Sequence, residues 1–203
     1  HPFPAEDTAE GFIGERGLEF IKNYNEDAPF YLNLSFIGPH PPYWHPKGIT
    51  VNEDIIPEAL GDETNRVDPK RGEVAYEGKT LTVKENRLHY AAKCSLIDSY
   101  VGKIVKEIEK KNLWEETVII FSSDHGDNCG DFGIWDKRFF YEQSAGVPLI
   151  IAGGGAPREE RAFGSRVSKA LVSHVDLYPT FLSLAGSSDT PGTAREGVNL
   201  FSI

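Results

Sequence analysis

The feature that most constrains how this chain can fold is its alternation of short β-branched and aromatic runs with longer stretches of helical spacing. Residues 30–36, 117–122 and 147–152 have the composition of buried strands. Ile97, Val101, Ile104, Val105 and Ile108 fall on one face of a helix, and Lys110, Lys111 and Asn112 supply its stop. Cationic side chains in a last turn face the negative end of the helix dipole, which gives that stop a physical cause. A first helix is predicted over residues 9–24. A later one is announced by Asp176 ahead of Pro179, runs through Phe181, Leu182 and Leu184, and ends at Gly186. Strands separated by helices of this length need crossover connections. The expected class is therefore α/β, a mostly parallel sheet with helices on both faces.

The chain has 203 residues, begins at His1 and contains no Met, so it is expected to be one portion of a longer product. The formal net charge of −10 excludes a surface built to cover nucleic-acid phosphates, and an anionic substrate would have to meet local positive charge. Its longest apolar runs fall far short of the roughly 20 residues that span a bilayer, so no membrane span is expected. Cys94 and Cys129 have neither metal-ligand spacing nor the density of a disulfide framework, and Cys94 reads as a core thiol. Residues 47–87 are polar, rich in Gly, Pro, Asp and Glu, and read as a long surface excursion. The small polar stretch 187–195 suits a link toward a further subdomain, so residues 1–203 read as one partial catalytic domain.

Open parallel sheets collect ligands at the carboxyl ends of their strands. The run ending at Phe36 leads into Gly38-Pro39-His40-Pro41-Pro42, a stiff loop that would fix His40 just past the strand. The run ending at Ser122 leads into Ser123-Asp124-His125-Gly126-Asp127, where Asp124 and His125 offer oxygen and nitrogen ligands and the carboxylate suits a hard cation. Lys137 lies thirteen residues after Asp124, within reach of one long loop. A cation, a lysine and a histidine together suit a multiply charged oxyanion. Each feature alone has a plainer reading: a packing histidine among prolines, an Asp-Gly turn, a solvated lysine. Gly153-Gly154-Gly155 reads as a turn, lacking the Walker lysine and the dinucleotide spacing. Asp124, Asp127, Asn128 and Asp131 do not make an EF-hand, because Gly126 stands where its third-position ligand is needed.

Taken in order, the motifs resemble the sulfatase family, arylsulfatase-like members of the alkaline phosphatase superfamily. Those motifs are Phe30-Tyr31-Leu32-Asn33-Leu34-Ser35-Phe36 before Pro39-His40, Ser123-Asp124-His125-Gly126, Lys137-Arg138, Tyr141-Glu142, Val147-Pro148-Leu149-Ile150-Ile151 and Asp176-Leu177-Tyr178-Pro179-Thr180. The resemblance implies an alkaline phosphatase-like fold, incomplete in this chain. It also implies one divalent cation, usually Ca2+ with Mg2+ as the other candidate, and a hydrated formylglycine nucleophile made from Cys or Ser. On matching positions, Asp124 and His125 become metal ligands, His125 standing where many relatives have Asn. Lys137 would hold a sulfate oxygen, and His40 would hydrogen-bond near the leaving-group oxygen, with its protonation as a further role. Such chemistry is sensible because S–O cleavage develops charge on the transferred group and on the departing alcohol.

The departures are specific. The formylglycine signature places arginine four residues after Cys or Ser, and no arginine of this chain does so. The nucleophile, two further metal-binding aspartates, and an amino-terminal Lys and His are expected upstream. Phe132 stands where relatives often carry His. The parent is accordingly expected to hydrolyse a small sulfated substrate, with this portion inert by itself and prone to self-association through an exposed sheet edge. A phosphate or phosphonate ester hydrolase of the same superfamily is the alternative, and a noncatalytic binding domain on the same scaffold is a third. A periplasmic or secreted location follows from the resemblance only.

Overall fold

A computed structural model describes residues 3–61, 75–76, 79–155, 167–187 and 196–203. The principal helices are α1 (Ala9–Asn23), α2 (Val83–Lys110), the single turn α3 (Glu142–Ala145) and α4 (Leu177–Leu184). The strands are β1 (Ala75–Tyr76), β2 (Lys79–Thr80), β3 (Ile119–Ser122) and β4 (Leu149–Ala152). β1 and β2 pair antiparallel, and β3 pairs with β4. Ser122 Oγ donates to Pro148 O at 2.9 Å, while Gly155 N donates to Thr117 O at 3.0 Å. β3 and β4 therefore run in opposite directions.

The mostly parallel sheet expected from sequence is absent among the described residues, whose strands form only these two pairs. Residues 30–36 show why. They carry no strand assignment, yet their exposure alternates strictly, with Phe30, Leu32, Leu34 and Phe36 half-buried and Tyr31, Asn33 and Ser35 exposed. That period of two is the signature of an extended segment with one covered face. The covered face lies on α1: the Phe30 ring sits 5.4 Å from that of Phe20 and 4.8 Å from that of Tyr24. A strand is defined by its ladder, and this segment has the side-chain pattern without the partner. β3 and β4 are also less buried than expected, with Ile150 55% exposed. A two-stranded ribbon cannot cover both of its faces.

The chain divides into two compact units, the first comprising His1–Lys111 with Phe121–Leu149, the second Asn112–Ile120 with Ile150–Ile203. In the first, α1 packs on α2. Thr8 caps α1 by accepting from Gly11 N at 3.0 Å, and Leu18 and Ile21 are buried. Glycine lets this helix come close. A Cβ at Gly14 would lie 2.3 Å from the Tyr100 ring, and one at Gly17 would lie 2.5 Å from Leu34 Cδ1. The facing stripe of α2 is Ala92, Leu96, Ile97, Tyr100, Ile104 and Ile108, all buried, with Val101 and Val105 half-buried beside it. α2 stops at Lys110 as expected, and Lys111 Nζ donates to Lys22 O and Tyr24 O, meeting carbonyls at the end of α1.

α2 begins earlier than its apolar stripe suggested. Thr82 and Glu85 form a reciprocal capping box, so residues 83–87 belong to the helix and not to the excursion assigned to 47–87. Residues 62–74 and 77–78 of that excursion, and residues 188–195 of the expected link, lie outside the described residues. Cys94 is exposed, which corrects its reading as a core thiol.

In the second unit, Gly153-Gly154-Gly155 is a turn, as expected. Gly153 has φ +96°, its Cβ would lie 2.1 Å from Thr117 O, and Gly154 N donates to Trp114 O at 2.8 Å. Asp176 accepts from Ser173 N at 2.7 Å and Val198 N at 2.9 Å ahead of α4, and these two amides hold its carboxyl below the usual carboxylate range. Gly186, with φ +65°, follows α4 where the sequence placed the stop.

The glycine contacts give a paired prediction. Gly14→Val should destabilise by about 1–3 kcal/mol through overpacking against Tyr100. Gly102→Ala, in the middle of α2 with nothing within 4 Å of its Cβ, should stabilise by about 0.5–1 kcal/mol. Urea unfolding of the two variants beside wild type checks both signs.

Candidate active site

The site residues lie on two loops of the first unit, and the physics of buried charge explains how each loop is held. The His40 loop is fixed from beneath by Lys93 of α2, whose Nζ lies 3.4 Å from Glu10 Oε1 of α1 and donates to His40 O at 3.0 Å and Pro42 O at 3.5 Å. Both charged side chains are buried, at 8% and 7% exposure, so the carbonyls replace the water that Lys93 has lost. Gly38 crosses directly over this pair. A Cβ there would come within 2.6 Å of Glu10 Oε1, which is why the loop opens on glycine. The Gly38-Pro39 and Pro41-Pro42 peptide bonds are cis.

The second loop, after β3, is closed at its neck. Asp127 Oδ1 accepts from Cys129 N at 2.8 Å and from Asp136 N at 3.1 Å. Asn128, fully buried, donates to Asp136 O through its backbone N at 3.2 Å and its side-chain Nδ2 at 2.6 Å. Residues 127 and 136 are thereby brought within hydrogen-bond reach, leaving His125 on one side of the neck and Lys137 on the other. Asp136, at φ +71°, also accepts from Lys137 N at 2.8 Å, and its Oδ1 lies 3.9 Å from Lys137 Nζ. Arg87 of α2 ties down the outer part of the loop. It donates to Cys129 O at 2.8 Å, Pro57 O at 2.9 Å and Glu58 O at 3.1 Å, and pairs with buried Asp131. Asp131 Oδ1 also accepts from Leu60 N at 2.8 Å.

The two loops meet. The His40 and His125 rings are 6.5 Å apart, centroid to centroid, in an edge-to-face arrangement. Tyr43, three residues after His40, donates to Asp127 Oδ2 at 2.6 Å. The Tyr43 ring is buried between Tyr90 and Trp135, and burial together with the Asp127 carboxylate pushes its phenol well above its ordinary pKa. Nδ1 of His40 lies 2.7 Å from Pro41 O and Nδ1 of His125 lies 2.7 Å from Gly126 O. Each contact suits a ring whose Nδ1–H donates to the neighbouring carbonyl, which leaves Nε2 of either ring for another partner.

Asp124 is 85% exposed at its side chain, and its Oδ2 lies 3.5 Å from His125 Nε2. Those two atoms could contact one cation. No group of three or more His, Cys, Asp or Glu side chains disposed to hold a metal occurs among the described residues. One carboxylate and one imidazole are far from the six to eight oxygens that calcium takes. The donors present fit part of a coordination shell.

Of the residues singled out from the sequence, His40 and His125 lie together and Asp124 and Lys137 lie on the His125 loop, while Tyr43, Arg87, Lys93 and Asp127, which hold the two loops, had no local signal of their own. Phe132, at φ +56°, stacks on Tyr141 with centroids 4.8 Å apart, so this departure from the family pattern presents a stacked aromatic pair.

The solved structures that this one resembles have an alkaline phosphatase-like fold. The phosphonate monoester hydrolase of Agrobacterium radiobacter superposes with a TM-score of 0.77 at 22% identity, over 98% of this chain and 42% of that one. The sulfatase family model, described as Sulfatase, matches residues 10–187, and the chain belongs to the sulfatase family. Among relatives, the choline-sulfatase of Rhizobium meliloti is 32% identical over 196 residues, spanning 90% of this chain and 37% of that protein. The arylsulfatase K of Gallus gallus is 35% identical over 199 residues, spanning 85% of this chain and 36% of its own length. The chain thus covers well under half the length of these relatives. No helix among the described residues is long and apolar enough to cross a membrane.

Because Arg87 and Asp131 are both buried, at 10% and 8% exposure, removing one strands the other. Arg87→Ala should cost about 3–5 kcal/mol, and Arg87→Lys should recover only part of this, since an ammonium cannot reproduce the guanidinium's fork of donors. Chemical denaturation of both variants checks the order.

Proposed function

We propose that the full-length protein hydrolyses a sulfate ester, and that this chain supplies the half of the site that grips the transferred group and serves the leaving oxygen. The observation that carries the reading is the meeting of the His40 and His125 rings at 6.5 Å, in a member of the sulfatase family whose neck bonds set Lys137 beside the same loop. In this reading Lys137 holds a sulfate oxygen. Its ammonium stabilises charge that grows on the transferred group, and it is kept in place by the Asp136 contacts. His40 hydrogen-bonds the leaving-group oxygen and can return a proton to the departing alcohol.

Asp124 and His125 would be two ligands of a divalent cation, Ca2+ with Mg2+ as the alternative, the remaining ligands coming from beyond the described residues. When bound, such an ion supplies Lewis-acid charge for the oxyanion. A formylglycine nucleophile belongs to the same reading, in a part of the protein outside this sequence, and the isolated chain is then inert. The parallel sheet belongs to the full-length protein, with residues 30–36 as one of its strands, which their alternating exposure supports. Self-association of the isolated chain is proposed on the half-exposed β3 and β4.

A second reading, hydrolysis of a phosphate or phosphonate ester, is favoured by the likeness to a "Multifunctional alkaline phosphatase superfamily protein" of Trinickia caryophylli, 27% identical over 93% of this chain and 40% of that protein. Paired assays of the full-length protein on an aryl sulfate and an aryl phosphonate separate the two. A higher kcat/KM on the sulfate supports the proposal, and a higher value on the phosphonate overturns it. Lys137→Ala should lower kcat/KM on the sulfate by about 10²–10³-fold.

A further inference from the structure

We propose that Tyr43 is a positioning residue, its buried hydrogen bond to Asp127 acting as the strut that sets His40 against His125. Asp127 addresses the His40 loop and both sides of the neck at once. Its Oδ2 takes the Tyr43 hydroxyl from the His40 loop at 2.6 Å, and its Oδ1 takes the amides of Cys129 and Asp136 at the two sides of the neck. The carboxylate therefore reports the position of one loop to the other through bonds and not merely through packing.

The span between strut and catalytic ring is short and stiff on both sides. On the first loop, Tyr43 is separated from His40 only by Pro41 and Pro42, whose φ angles are fixed by their rings. On the second, Asp127 is separated from His125 only by Gly126, whose N donates to Ser144 O at 2.8 Å and whose Cβ would meet Gln143 O at 2.0 Å. Lys137 follows directly on Asp136, an acceptor of the neck and a donor to Asp127. The strut at 43–127 and the ring contact at 40–125 thus form two adjacent rungs between the loops.

A buried tyrosine usually finds a hydrogen-bond partner for its hydroxyl, and satisfaction of a core phenol is the competing explanation. Two facts favour the strut. The partner is a carboxylate already holding two backbone amides, so its position is determined without Tyr43. The Tyr43 ring is held by Tyr90 and Trp135 at centroid distances of 5.8 and 5.9 Å, so the phenol is presented in a fixed direction. A rigid donor on a rigid acceptor transmits displacement.

The test uses the full-length protein with 13C-labelled histidine rings, and its kinetic arm rests on the sulfatase reading given above. Tyr43→Phe keeps the ring and removes only the hydroxyl. The strut predicts that the His40–His125 ring cross-peak falls to less than about half, and that kcat on an aryl sulfate falls about tenfold or more while KM stays within about threefold. An unchanged cross-peak overturns the proposal whatever the activity. A lost cross-peak in a protein whose wild type hydrolyses no sulfate ester upholds the strut and removes the functional reading instead. Asp127→Asn provides a second variant, because its carbonyl can accept the two amides while its NH2 donates to the phenol oxygen. The cross-peak should survive there, and its loss in a folded Asp127→Asn protein would assign the effect to the charge of Asp127 and contradict the strut.

Discussion

Two buried cations on one helix organise the site. Arg87 and Lys93 project from the amino-terminal half of α2, and neither can keep its charge away from water unless oxygen atoms surround it. The oxygens they collect belong to the loops that matter. Lys93 takes the carbonyls of His40 and Pro42 together with Glu10, and Arg87 takes those of Cys129, Pro57 and Glu58 together with Asp131. The cost of burying charge is thereby converted into loop position. Helix α2 itself is held to α1 by an apolar stripe and by glycines that let Tyr100 and Leu34 lie against the α1 backbone. The hierarchy runs from helix packing, to two cations, to two loops, to the imidazoles that meet between them.

Much of this was legible in the sequence wherever the signal is local. The carboxyl end of α2 and α4 follow from period and stop residues, α1 lies within the helix predicted over residues 9–24, and β3 and β4 fall inside the runs assigned to them. His40, Asp124, His125 and Lys137 could be picked out because each follows an apolar run or a motif. Partners distant along the chain left no such trace. Tyr43 and Asp127 are 84 residues apart, and nothing in a Pro-Pro-Tyr or His-Gly-Asp triplet announces the other. The early start of α2 was available in Thr82 and Glu85, a three-residue spacing that marks a capping box, but the polar residues 84–87 concealed it within the excursion.

The parallel sheet is not seen among the described residues for a different reason. Residues 30–36 have every intrinsic mark of a strand, including a covered face on α1, and strand identity still depends on a neighbour. Propensity and pattern belong to a segment, whereas a ladder belongs to a pair. The same separation applies to the chemistry. This chain carries an acid, two imidazoles and an amine whose placement is explained residue by residue, while the sulfatase family supplies the context in which such a group would act on a tetrahedral anion.

The central claim is that the two loops converge so that one anion is shared between them. It is tested most directly by a crystal structure of the full-length protein soaked with vanadate or sulfate. The account predicts a tetrahedral oxyanion within hydrogen-bond distance of Lys137 Nζ, with an oxygen also facing the His40 ring. An anion bound by Lys137 with His40 turned away from it, or by neither, would contradict it.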